Sequence, residues 1–167
     1  MKTLILGISV SLGFTQNPFE LDSALTSVLP QSIANSIEIA DVDNDGTQDI
    51  ILTGYDSTRF GVFLDVINGN SDGTISLGSQ LRIITYTDTI ANQIGGIGGI
   101  DLADVNQDGF IDAYLTGSAQ SNLYYNTNGE FLESSNLESM VLSYSDGKWG
   151  DVNMDGAPDL FIMGTDN

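Results

Sequence analysis

The nonapeptide DVDNDGTQD at 41–49 returns as DVNQDGFID at 104–112 and again as DVNMDGAPD at 151–159. Each copy sets oxygen-bearing side chains at positions 1, 3, 5 and 9 and a glycine at position 6. The first supplies Asp41, Asp43, Asp45 and Asp49; the second Asp104, Asn106, Asp108 and Asp112; the third Asp151, Asn153, Asp155 and Asp159. Two carboxylates about 4 Å apart repel by roughly 1 kcal/mol in water and about 4 kcal/mol at a surface dielectric. A chain that builds this cluster three times needs a counter-charge. Oxygen donors at alternate positions, turned by the glycine, form a cage that the backbone carbonyl at position 7 completes. Thr47, Phe110 and Ala157 stand there, and their identity matters little if only the carbonyl is used. Hard oxygen ligands without nitrogen or sulfur select Ca²⁺, and Mg²⁺ less well because it demands a tighter octahedron. One Ca²⁺ per loop, three in all, is the expectation. Asp and Asn also favour metal-free turns, but three copies with matching flanks point to the cage.

The flanks repeat as well. IEIA (37–40) and IDLA (100–103) alternate as half-buried strands do, and GKWG (147–150) takes their place before the third loop. After the loops come IILTG (50–54), AYLTG (113–117) and LFIMG (160–164), short, apolar and partly β-branched or aromatic, which favours strand. An EF-hand needs a bidentate glutamate at position 12 and helices on both sides; position 12 holds Leu52, Leu115 and Ile162. NGNSDG (68–73) and NTNG (126–129) read as hairpin turns, each feeding another strand. GGIGGID (95–101) reads as a flexible lead-in to a strand. Four short strands in a period of about 50 residues match a β-propeller blade rather than a helical solenoid.

The fold expected is therefore all-β, with four-stranded antiparallel blades. Residues 1–35 read as the end of a blade, 36–98 as a blade, 99–146 as a blade and 147–167 as the start of another. Two whole and two partial blades fall short of the four to eight of a closed ring, so the rest of the propeller is expected from sequence outside this chain. TLILG (3–7) resembles IILTG, and PFELDSAL (18–25) resembles the EFLESSNL strand, which favours a blade strand at 3–7. The competing reading is a secretory signal, with Lys2 as its basic region and 3–12 as its apolar one, but no A-x-A cleavage site follows.

Strand, DxDxDGxxD loop and strand together resemble the FG-GAP/VCBS repeat family, the calcium-bearing β-propeller repeats of integrin α subunits and of many secreted bacterial proteins. The resemblance is closest at 36–67, 99–126 and 147–164 and weaker at 3–25. It implies that positions 1, 3, 5 and 9 are calcium ligands in all three copies. The integrin Gly-Ala-Pro signature after the strand is absent, and Gly156-Ala157-Pro158 lies inside a loop. The bacterial branch fits better, and integrin-like ligand recognition does not carry over.

Composition narrows the function. Acidic residues number 23 against four basic ones, for a net charge of −19, a surface that repels nucleic acid and anionic membranes. Cysteine and histidine are both absent, which removes disulfides, thiolate metal sites and the usual general base near neutral pH. Tyr124, Tyr125 and Trp149 have the chemistry of a sugar-stacking platform, although such aromatics more often fill blade cores. Glu133 and Glu138 would make a glycosidase pair only at about 5–10 Å separation, which nothing in the sequence imposes. Arg59 and Lys148 read as solvated or locally paired. The expectation is a non-enzymatic, extracellular or cell-surface scaffold for adhesion or recognition, with an unidentified protein or glycan ligand, no nucleic acid and no membrane insertion. The alternatives are the propeller part of a secreted carbohydrate-active enzyme and a lectin-like binder.

Overall fold

The alternating runs IEIA and IDLA both become strands. The computed structural model describes residues 8–9, 20–21, 33–56, 61–85, 97–117, 121–135, 137, 140 and 142–165. The first four-stranded sheet runs β3 (Ile33–Ala40), β4 (Asp49–Asp56), β5 (Gly61–Gly69) and β6 (Ile75–Thr85), following a short pair β1 (Ile8–Ser9) and β2 (Glu20–Leu21). The second sheet runs β7 (Ile97–Ala103), β8 (Asp112–Gly117), β9 (Asn122–Thr127) and β10 (Glu130–Glu133). A third pairs β11 (Ser143–Gly150) with β12 (Asp159–Thr165). All pairings are antiparallel between sequence neighbours, so each four-stranded sheet is a meander, and no helix occurs among the described residues. These are propeller-like blades in an array that does not close on itself.

The period of two sorts side chains between the faces. In the first sheet Ile51, Leu64 and Val66 face one way and Leu52, Phe63 and Ile67 the other. The first set joins Val42, Ile100, Ala113, Leu115, Tyr124 and Phe131 in a core between the two four-stranded sheets. Each Val, Leu, Ile or Phe side chain among them contributes about 1.5–3 kcal/mol by leaving water. β8 is buried along its whole length, because β11 covers its far side. Tyr114 of β8 meets Trp149 of β11 edge-on at 6.1 Å between ring centroids. Trp149 therefore fills the gap between sheets and Tyr124 lies in the core, as expected of blade aromatics. The outer faces stay open. Phe161, at the repeat position of Tyr114, is 53% exposed, and Ile37, at the position of the buried Ile100, is 54% exposed.

The turns follow their residues. Asn128 and Gly129 both have positive φ, at 53° and 85°, and join β9 to β10 through the Asn-Gly hairpin signal. Between β5 and β6, Asp72 Oδ1 accepts from the Thr74 amide and hydroxyl, at 2.9 and 2.6 Å. Two expectations need correction. Ile97–Gly99 are already part of β7, with a register shift before Ile100, rather than a lead-in to it. The strand read in EFLESSNL stops at Glu133. The strand expected at 3–7 and the side chains of Arg59 and Glu138 lie outside the described residues. Glu133 accepts from the Asn122 side-chain amide, and Lys148 pairs with Asp101 of the neighbouring sheet at 2.6 Å.

Candidate metal centre

The three acidic loops join β3 to β4, β7 to β8 and β11 to β12, the first two strands of their sheets. One scaffold of hydrogen bonds recurs in all of them. In the first, the Asp45 amide donates to Asp41 Oδ1 and to Asp43 Oδ1, both at 3.1 Å, and the Gly46 amide donates to Asp41 Oδ2 at 3.0 Å. The Thr47 amide donates to Asp45 Oδ1 at 2.8 Å, and the Val42 amide to Asp49 Oδ2 at 2.9 Å. The second loop repeats this with Asp104, Asn106, Asp108 and Asp112. The third repeats it with Asp151, Asn153, Asp155 and Asp159. Amide N–H groups thus hold the side-chain oxygens in place, and a carboxylate oxygen that accepts one such bond keeps a lone pair for another partner.

The backbone bends at two positions. Glycine at position 6 has φ of 88°, 93° and 87° in Gly46, Gly109 and Gly156. A Cβ there would meet nothing within 4 Å, so the requirement for glycine is conformational and not spatial. Position 4 is left-handed too: Asn44, Gln107 and Met154 have φ of 60°, 59° and 60°. Sequence reasoning missed this second bend. Asn44 carries a signal for it, because Asn tolerates that conformation, whereas Gln and Met carry none.

In the first loop Asp41, Asp43 and Asp49 each bring a carboxylate oxygen within 4.8 Å of the other two. Asp45 is not in that triplet; its Oδ1 also accepts from the Thr47 hydroxyl, at 2.6 Å. The Thr47 hydroxyl stands 3.0 Å from the Gly69 carbonyl as well, so the residue at position 7 is not indifferent in this loop. Asn106 and Asn153 supply a neutral oxygen where the first loop has Asp43, which makes the first cluster the most anionic. Asn106 donates to Asp108 Oδ2 at 2.9 Å through its nitrogen. Phe110 and Ala157 meet the aspartate two residues earlier through the amide, as Thr47 does.

Position 9 anchors each loop to its sheet. Asp49 and Asp112 are fully buried, and their Oδ1 atoms accept from the Gly69 and Asn126 amides of the third strand, at 3.0 and 2.8 Å. In the third loop Asp159 Oδ1 has the Asn153 side-chain amide at 3.5 Å instead. Burial pushes the Asp49 and Asp112 carboxyls up from the usual carboxylate range, against amide bonds that pull them down. Asp43 and Asp45 add to the rise at Asp49, and Asp108 adds to it at Asp112. A cation in the cage would supply the opposing charge. The Thr47 hydroxyl, and then its amide, holds Asp45 below that range. An all-oxygen donor set arranged in this way fits a hard divalent cation.

Residues 104–162 match the family described as FG-GAP-like repeat, from position 1 of the second loop through β8 to β11 and across the third loop. No curated protein and no solved structure matches the chain. The first loop lies outside the matched stretch, but its hydrogen bonds are those of the other two.

Proposed function

Starting from the FG-GAP-like repeat at 104–162, we propose that this chain is a calcium-binding β-propeller-type segment of an extracellular protein, a scaffold for adhesion or recognition without catalysis of its own. The observation that carries this reading is the loop scaffold built three times over, with three carboxylates of the first loop converging within 4.8 Å. In each loop the side chains at positions 1, 3, 5 and 9 and the carbonyl at position 7 would hold the ion. The ion would supply charge neutralisation at the bend between two core strands.

An extracellular setting is supported by the repeat's occurrence in secreted proteins and by millimolar calcium outside cells, which suits modules with a Kd of about 10⁻⁴–10⁻³ M. No helix among the described residues is long and apolar enough to cross a membrane. A non-catalytic role is supported by a chain without histidine or cysteine, whose clustered aspartates already have a structural task. The binding partner is a protein or a glycan presented to the scaffold.

Calorimetry tests the metal assignment. Wild type is expected to bind Ca²⁺, and Asp45→Ala, Asp108→Ala and Asp155→Ala are each expected to weaken binding, each most strongly at its own loop. Identical isotherms for all four proteins would sink it. A glycan array separates a lectin from a protein-binding scaffold.

A further inference from the structure

The acidic loops touch one another. The Asn44 side-chain amide donates to the Gly109 carbonyl at 2.9 Å, and the Gln107 side-chain amide donates to the Gly156 carbonyl at 3.0 Å. Both bonds run from position 4 of one loop to position 6 of the next. The donor in each case is a residue held left-handed, and the acceptor is the glycine at position 6. These two positions flank the aspartate at position 5, and the glycine precedes the carbonyl at position 7. The amide of each accepting glycine already donates to position 1 of its own loop, so the peptide groups on both sides of it are held.

We propose that neighbouring cation loops are coupled in series, the position-4 side chain of one clamping the position-6 carbonyl of the next, so that filling one loop raises the affinity of its neighbour. The proposal rests on the cation-binding reading above. An ion that orders one loop fixes the position-4 donor, and the neighbouring loop then loses less conformational freedom when it binds. By linkage the effect is reciprocal. The first and second loops have an additional tie, because Asn126 donates its main-chain amide to Asp112 and its side-chain amide to the Val42 carbonyl. Met154 has no donor and is 87% exposed, so the described series ends at the third loop.

Trp149, the only tryptophan, stands two residues before Asp151 and reports on the third loop through sensitised emission of bound terbium excited at 295 nm. Gln107→Gly suits the left-handed backbone but donates nothing; Gln107→Asn keeps a donor of the kind Asn44 provides. Losing one such hydrogen bond is expected to raise the terbium concentration needed for half-saturation about fivefold in Gln107→Gly, with recovery in Gln107→Asn. Asp108→Ala, which disables the second loop, is expected to raise it as well. Superimposable titrations of wild type, Gln107→Gly and Asp108→Ala would overturn the coupling and leave cation binding intact. Absence of saturable emission from wild type would overturn the cation reading of the third loop, and the coupling with it.

Discussion

The side chain of Asn126, fully buried, donates to the Val42 carbonyl at 2.7 Å and so joins the third strand of one sheet to the acidic loop of the sheet before it. The same amide nitrogen lies 3.0 Å from the Ile111 carbonyl, and the side-chain oxygen accepts from the Gly129 amide at 2.9 Å. One residue thereby closes its own hairpin, braces its own loop and grips the neighbouring one. The core between the two sheets is apolar; this contact, with the Asn44–Gly109 hydrogen bond, ties them together through polar groups.

Asn126→Ala is expected to leave buried carbonyls without a donor, at about 1–3 kcal/mol for each group left unpaired. Asn126→Asp is expected to cost more, because it turns an acceptor toward two carbonyls. The measurement is a urea titration, in which the midpoint falls while the slope stays that of wild type. An unchanged midpoint in both variants would show that the contact does not hold the sheets together.

Two glycines of the first loop's surroundings separate backbone strain from lack of space. Gly46→Ala places a Cβ in open space but at φ 88°, at a cost of about 1–2 kcal/mol. Gly69→Ala drives a Cβ to 2.4 Å from the Gln48 carbonyl oxygen, a backbone atom that cannot swing away. Gly69→Ala is therefore expected to lower the melting temperature more than Gly46→Ala, and Gly46→Asn less than either. The opposite order would mean that the loop relaxes around position 69.

Alkaline pH is expected to unfold the chain through its buried tyrosines. Burial pushes the Tyr114 and Tyr124 hydroxyls up, with Glu133 adding to the rise at Tyr124. A raised folded pKa means that the native state holds its proton more tightly than the unfolded chain. The stability is thus fully present below the unfolded value of about 10 and is lost as pH climbs through the folded values. Lys148, raised chiefly by its hydrogen bond to Asp101, has the same sign. In an absorbance titration at 295 nm, Tyr114 and Tyr124 should ionise only as the sheets open, above the pH at which a tyrosine of the unfolded chain does. The Tyr114 hydroxyl has no hydrogen-bond partner among the described residues, so Tyr114→Phe is expected to be neutral or stabilising.

Much of this architecture is written in the sequence, because each feature comes from a local rule that the chain repeats. Alternation marks β3 and β7, an Asn-Gly pair marks the β9–β10 turn, and the oxygen spacing marks the loops. The clamps between loops have no such signature. Gln107 looks like any exposed polar residue until the fold brings Gly156 beside it. Asn126 reads as a turn residue in NTNG, and its grip on Val42 spans 84 positions. Position 9 shows its carboxylate in sequence but not its burial, which depends on the third strand closing over it. Local chemistry is legible residue by residue; contacts between repeats require the sheets to be stacked first.

Calcium is expected to hold the fold together. Each loop sits between two core strands, and without a cation Asp41, Asp43 and Asp49 converge at a bend with only backbone amides to offset their repulsion. A ligand that binds only the native state stabilises it by about 1.4 kcal/mol per site at tenfold excess over Kd and by about 2.7 kcal/mol at a hundredfold excess. Three sites at tenfold excess give about 4 kcal/mol, a large part of the roughly 5–15 kcal/mol of a typical domain. For a chain of this size each kcal/mol moves the melting temperature by about 2–4 °C. A shift of about 10 °C is therefore expected between chelator and millimolar Ca²⁺, with a smaller one in Mg²⁺, which fits the cage less well. Asp49→Asn should shrink the shift by at least about a third, since it removes charge from one cage and, through the coupling, weakens the next. A melting temperature indifferent to calcium would refute the structural role, whatever the loops bind.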